Sequence, residues 1–116
     1  MFKKLRTVIY HVSDLQKAKE WYTALTGIQP YFDEPFYVGF DINGFELGLD
    51  PDFDEVHERG TQAVAYWKVD DISNTVKKFK KAGAAISSKV KEVGGGIKVA
   101  TLVDPWGNAI GLIEEN

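Results

Sequence analysis

Few side chains in this sequence suit proton or metal chemistry. There are two histidines, His11 and His57, and no cysteine, so thiolate metal sites, disulfides and a cysteine nucleophile are excluded. Asp50, Asp52 and Asp54 have the alternate spacing that opens an EF-hand calcium loop. Such a loop needs Gly at its sixth position and Glu at its twelfth; Glu55 and Thr61 stand there. With His57 and Glu58 added, the stretch reads as a charged connector. The Gly94-Gly95-Gly96 run precedes a strand pattern, whereas phosphate cradles precede helices. A flexible hairpin able to gate a pocket is the expected role. Lys77, Lys78, Lys80 and Lys81 fall on the outward faces of a predicted helix, where solvation accounts for them.

These groups sit in a chain of 116 residues, 44% hydrophobic and 13% aromatic, with seven Phe, five Tyr and three Trp. At this size folding removes roughly two-thirds of the extended chain's surface from water, enough for one core, and the aromatic content rules out intrinsic disorder. A single domain over residues 1–116 is expected. No apolar run approaches the roughly 20 residues of a membrane span, and the Met1-Phe2-Lys3-Lys4 start lacks an apolar signal region. A cytoplasmic protein without membrane contact is the default. A net charge of −3 argues against nucleic acid, whose phosphates require concentrated Lys and Arg.

The elements that position these residues follow from periodicity. Leu5 to Val12 alternates as a strand, with Thr7, Ile9 and His11 on one side and Val8, Tyr10 and Val12 on the other. Ser13 offers an N-cap and Gln16 completes a capping-box pattern. Leu15, Ala18, Tyr22 and Leu25 follow at helical spacing, and Gly27 suits the stop. Strands are predicted at Ile28 to Asp33, Phe36 to Ile42 and Phe45 to Asp50, with an Asn43-Gly44 hairpin turn between the last two. After the connector, about 51–61, the order restarts. Gln62 to Val69 reads as a strand, Asp70 or Asp71 caps a helix through Ile72, Val76, Phe79 and Ala82, and Gly83 ends it. Strands follow at Ala85 to Glu92, Ile97 to Val103 and Ala109 to Glu114, the last two joined by a turn at Asp104-Pro105-Trp106-Gly107-Asn108. Trp21 and Trp67 are expected to pack between helix and sheet, and Trp106 to be partly exposed in its turn.

Laying Val12 on Val69 aligns Asp14 with Asp71, Leu15 with Ile72 and Tyr22 with Phe79. The chain is therefore read as two tandem βαβββ modules, about 1–50 and 62–116. The expected class is α+β, a curved eight-stranded mixed sheet with helices outside that share one core.

The stretch from Tyr10 to Gly27 (YHVSDLQKAKEWYTALTG) resembles the first strand and helix of the vicinal oxygen chelate superfamily, which includes glyoxalase I, extradiol dioxygenases, and fosfomycin and bleomycin resistance proteins. The ending from Asp104 to Ile113 (DPWGNAIGLI) is similar to its last turn and strand, so the resemblance covers essentially the whole chain. It implies a pocket on the concave sheet face and a homodimer, and in many members a divalent metal. In the metalloenzymes the first ligand lies five residues before the Val of the Val-x-Asp step. That count gives Thr7 from Val12 and Val64 from Val69; the final-strand ligands match Glu46 and Gly111. The family's His or Gln, Glu, His, Glu is thus replaced by Thr7, Glu46, Val64 and Gly111. A catalytic ion needs about three N or O ligands, so no metal and no other cofactor is expected. Metal-dependent glyoxalase I or dioxygenase activity is not expected either. His11 lies roughly 13 Å along the strand from Thr7, too far to replace it.

What remains on the concave face is a candidate pocket for a small organic molecule. Thr7, Ile9 and His11 face it from the first module, with Val64, Tyr66 and Lys68 as their counterparts in the second. Glu46, Gly48 and Asp50 form another inward row, Tyr37 and Thr101 line further strands, and Gly111 and Ala109 leave room. His11 and Lys68 are placed to orient an anionic group. Enclosure is expected to raise the pKa of Glu46 and suit it to acid–base work. Two alternatives follow: a lyase or isomerase acting through Glu46 with His11 or Lys68, and a regulatory or structural dimer with a vestigial cavity.

Overall fold

In the computed structural model, which describes residues 1, 3–52 and 64–115, the N-terminal alternation forms strand β1 (Thr7–His11), with Tyr10 buried and Ile9 exposed. The strand starts later than Leu5. Leu5 is exposed, and pairing begins only where Glu46 N–H reaches the Arg6 carbonyl, at 2.8 Å. Helix α1 (Leu15–Thr26) is capped by Asp14, whose carboxylate accepts from the Lys17 N–H. The expected Ser13–Gln16 capping box is therefore incorrect; Gln16 instead donates to Glu20 one turn on. Gly27 closes the helix at φ 72°, in the left-handed region that favours glycine.

Strand β2 (Phe32–Glu34) is half the length predicted from Ile28 to Asp33. Pro30 has no N–H to give a ladder, and Tyr31 makes a single backbone bond to the Gly39 carbonyl. β3 (Tyr37–Ile42) and β4 (Phe45–Asp50) form the Asn43-Gly44 hairpin, both turn residues at positive φ and Gly44 N–H held by the Asp41 carboxylate. The sheet order is β1-β4-β3-β2, with β1 parallel to β4 and the other pairs antiparallel. α1 lies on β3 and β4. Between them Tyr10, Val12, Ala18, Tyr22, Val38, Phe40, Leu47 and Leu49 are buried. Tyr10 stacks on Tyr22 with centroids 5.9 Å apart.

The second unit repeats this order. It contains β5 (Tyr66–Lys68), α2 (Ile72–Lys81), β6 (Ala85–Glu92), β7 (Lys98–Val103) and β8 (Ala109–Glu114). Its sheet runs β5-β8-β7-β6, again with one parallel pair, β5 with β8. Asp71 rather than Asp70 is the N-cap of α2, accepting from Asn74 N–H. Ile72, Val76, Ala84, Ala100, Leu102, Ile110 and Leu112 are buried. The glycine run bends the chain between β6 and β7. The turn before β8 is organised by the buried Asp104 carboxylate, which accepts from the N–H groups of Trp106 and Asn108.

Each unit is thus one βαβββ module with a four-stranded mixed sheet, and the class is α+β. Residues 53–63, with most of the predicted connector and the start of the strand predicted from Gln62, lie outside the described residues. Among the described residues no helix is long and apolar enough to cross a membrane.

Candidate functional site

Strand alternation gives the first sheet a second face, away from α1. Register places Thr7, Glu46 and Asp41 in one row across it, and Ile9, Gly48, Gly39 and Phe32 in the next. Asp50 pairs with His11 beyond them. The two central glycines remove side chains where a sheet would normally carry them. A Cβ at Gly48 would overlap the Tyr37 hydroxyl, and one at Gly39 would press on Glu46 Oε2 and, at 3.1 Å, on the Tyr31 ring. The glycine floor is what lets two phenols and a carboxylate share the space.

Glu46 is 8% exposed. Its Oε1 accepts from Thr7 Oγ1 at 2.9 Å, from Tyr37 OH at 2.9 Å and from Arg6 Nη1 at 3.3 Å; its Oε2 accepts from Tyr31 OH. Arg6 Nη1 also donates to the Thr7 hydroxyl, at 2.7 Å. The expected rise in the Glu46 pKa is incorrect. Burial does push it up, but the hydrogen bonds from Tyr31, Thr7 and Tyr37 and the Arg6 charge outweigh burial and hold it below the ordinary value. The same bonds act oppositely on the donors. Tyr37 is raised far above the usual tyrosine range by burial and by its bond to Glu46. Tyr31 is raised chiefly by its bond to Glu46.

Above this network lies an open recess of about 390 Å³, bounded by Arg6, Thr7, Ile9, Tyr31, Phe32 and Tyr37 with Glu46 at its base. A recess of about 170 Å³ adjoins it past Arg6, Tyr31 and Glu46, walled by Asp41, Gly44 and Phe45. Phe32 is the hub of the aromatic wall, 5.9 Å from the Phe36 ring centroid and 6.1 Å from that of Tyr37.

Of the residues singled out from sequence, Thr7, Ile9, Tyr37, Glu46 and Gly48 come together here. His11 does not join them: it sits at the far end of β1, where Nδ1 is 3.1 Å from the Asp52 carbonyl. In the second unit Tyr66 and Gly111 are register partners, and the Tyr66 ring lies where a Gly111 side chain would be. Lys68 pairs with Ile113, Val64 precedes β5, and the Thr101 hydroxyl meets that of Ser87 at 2.8 Å. Sequence reasoning missed Arg6, Tyr31, Phe32 and Gly39. Only Gly39 carried a signal, as a glycine inside a predicted strand.

A divalent metal of the kind used by the resembled metalloenzymes does not fit these donors. Glu46 Oε1 already accepts three hydrogen bonds and Oε2 one, and Thr7 gives its proton to Glu46, so Glu46 is the sole anionic oxygen donor among the four matched positions. Val64 and Gly111 carry no donor atoms. Among the described residues no three His, Asp or Glu side chains converge as a metal would require. Asp52 N–H closes a local turn on Asp50 Oδ1. Asp54, Glu55, His57, Glu58 and Thr61 lie outside the described residues.

The sequence family described as the Glyoxalase/Bleomycin resistance protein/Dioxygenase superfamily matches residues 4–112, and the chain belongs to it. No curated protein matches the sequence. Among solved structures, a glyoxalase/bleomycin resistance protein/dioxygenase family enzyme from Burkholderia phytofirmans is similar at TM-score 0.82 and 18% identity, over 98% of this chain and 100% of that one. A lactoylglutathione lyase from Agrobacterium tumefaciens is similar at TM-score 0.74 and 16% identity, over 96% and 92%. A hypothetical protein from S. aureus is similar at TM-score 0.75 and 22% identity, over 98% and 94%. Likeness at these identities shows the fold.

Proposed function

We propose that this chain binds a small organic molecule in the recess above Gly39 and Gly48, without the divalent metal that many members of its superfamily hold. The observation carrying this reading is the state of Glu46. At the position matching a family ligand stands a carboxylate whose two oxygens already accept from Arg6, Thr7, Tyr31 and Tyr37. Ligation through Oε1 would require it to surrender some of these bonds, and among the described residues no three His, Asp or Glu side chains converge to complete a ligand set. Its lowered pKa also makes it a poor proton acceptor near neutral pH, which favours binding over acid–base catalysis. The recess volume of about 390 Å³ falls among those of small-molecule sites, roughly 300–1,000 Å³. Exposed apolar side chains at Ile9 and Phe32 supply a surface for an organic body.

Native mass spectrometry of untagged protein equilibrated with zinc, nickel and manganese tests this. The expected result is no stoichiometric metal, an organic adduct removable by mild unfolding, and the mass of a homodimer, the assembly the family resemblance supports. One metal ion per chain that is lost in Glu46→Gln would overturn the metal-free reading.

A further inference from the structure

The hydrogen-bond inventory of the recess is one-sided. A phenol or an aliphatic hydroxyl has one proton to give, and each has already given it: Thr7 and Tyr37 to Glu46 Oε1, Tyr31 to Oε2. What the walls still offer is acceptor capacity, on the phenol oxygens of Tyr31 and Tyr37 and on Glu46 Oε2, which takes a single bond where Oε1 takes three. Among the described side chains that line it, the one remaining source of protons is the Arg6 guanidinium, whose side chain is 72% exposed at the rim, where water can serve it.

Charge agrees with this. Asp41, Glu46 and Asp50 share this face by register, and Glu34 stands opposite Tyr37. Against these carboxylates stand Arg6 and Lys4, the latter over the Phe45 ring at 5.6 Å. The rings of Phe32, Tyr31 and Tyr37 line the same space, and a cation is attracted to the face of an aromatic ring.

We propose that the recess selects organic amines. The protonated nitrogen donates to Glu46 Oε2 and to the oxygens of Tyr31 and Tyr37, and the carbon body lies against Ile9 and Phe32. This rests on the reading of the recess as a binding site and adds the class of ligand. Glu46 then has two tasks. It accepts from the ligand, and by holding the phenol protons it turns both tyrosines into acceptors. A carboxylate ligand would meet only Arg6 as a donor and would face Glu46 as a like charge.

The test is a pair of titrations of isotope-labelled protein followed by backbone amide shifts, one with 2-phenylethylamine and one with 3-phenylpropionate at the same ionic strength. The amine is expected to shift the Gly39 and Gly48 amides saturably, with a Kd about tenfold below that of the carboxylate. Equal or tighter binding of the propionate at those residues overturns the amine assignment and leaves the pocket standing. Failure of both probes to shift Gly39 and Gly48 overturns the pocket itself. Glu46→Gln, whose amide must donate to one phenol and reverse its proton, is expected to abolish the preference while the spectrum stays dispersed. A preference that survives the substitution refutes the proposal. Tyr31→Phe removes one acceptor on a half-exposed ring with little risk to folding, and is expected to weaken amine binding several-fold while leaving propionate unchanged. An unchanged amine Kd would count against the assignment.

Discussion

Substituting Gly48 by alanine puts the glycine floor under direct test. The added methyl would occupy the position of the Tyr37 hydroxyl and come within 2.6 Å of Cζ and 3.1 Å of Cε1, so the ring must move. Gly48 is not among the positive-φ glycines, so the backbone tolerates alanine and gains about 0.5–1 kcal/mol from its lower unfolded-state freedom. Against this stands the bond from Tyr37 to the Glu46 carboxylate, worth about 1.5–3 kcal/mol as a hydrogen bond to a charged group. Repacking the ring costs about 1 kcal/mol more. The net expectation is a loss of about 2 kcal/mol, or about 8 °C in Tm for a domain of this size. Urea unfolding of wild type, Gly48→Ala, Tyr37→Phe and the double variant isolates the bond. In the Tyr37→Phe background there is no hydroxyl to displace, so Gly48→Ala should cost little beyond the repacking. The coupling energy should be about 1–2 kcal/mol. A neutral or stabilising Gly48→Ala, or single-variant costs that add within about 0.5 kcal/mol, would refute the geometry on which the recess depends.

Glu46 is held below its ordinary value of 4.5 in the folded chain, so its contribution to stability is complete above that pH and is lost as pH falls through the folded value. Wild type should exceed Glu46→Gln by about 2 kcal/mol near neutrality, and the gap should narrow in acid; equal gaps at both ends of a urea-unfolding pH series would contradict the network. Spectroscopic titration of tyrosine ionisation should show both Tyr31 and Tyr37 above the usual range. Glu46→Gln should lower both, and should leave Tyr37 still raised because burial leads among its causes, whereas the bond to Glu46 leads for Tyr31. Asp14→Ala and Asp71→Ala should each cost about 1 kcal/mol in thermal unfolding, while Ser13→Ala should cost almost nothing.

The helix start shows how the sequence misleads at close range and informs at long range. Ser13 and Gln16 satisfy the capping-box spacing, yet Asp14 caps α1 because its carboxylate reaches the Lys17 N–H. The correction was available within the chain: aligning Val12 with Val69 sets Asp14 on Asp71, and Asp71 makes the matching bond to Asn74. β4 and β8 fall where alternation predicts them, because each pairs along its whole length; β6 does so as well, although its pairing with β7 shifts register on either side of Ser88. β1 and β2 are shorter than predicted because strand length depends on the neighbour. Leu5 has apolar character but no partner strand beside it, and Pro30 interrupts the ladder before Phe32.

The site was partly legible for the same reason. Residues that face the recess by alternation, Thr7, Ile9, Tyr37, Glu46 and Gly48, could be placed from strand pattern; Arg6 and Tyr31 could not, since both lie outside strands and arrive by side-chain reach. Enclosure alone predicts the wrong direction for the Glu46 pKa, because the groups that enclose it also donate hydrogen bonds to it. One further inference lay within reach of the sequence. A two-residue Asn43-Gly44 turn pairs Ile42 with Phe45, and counting back along both strands pairs Gly39 with Gly48, as the register has it. Two glycines opposite one another in the centre of a sheet forgo the cross-strand contact that stabilises such a pair. Something else must fill the space, and residues two positions away on the same face are near enough to do so. Tyr37 and Glu46 are those residues: each lies two places from one glycine of the pair and projects across the strands over the other. A glycine pair in register, flanked at two residues by a carboxylate and a phenol, therefore marks the floor of a polar recess before any coordinate is known.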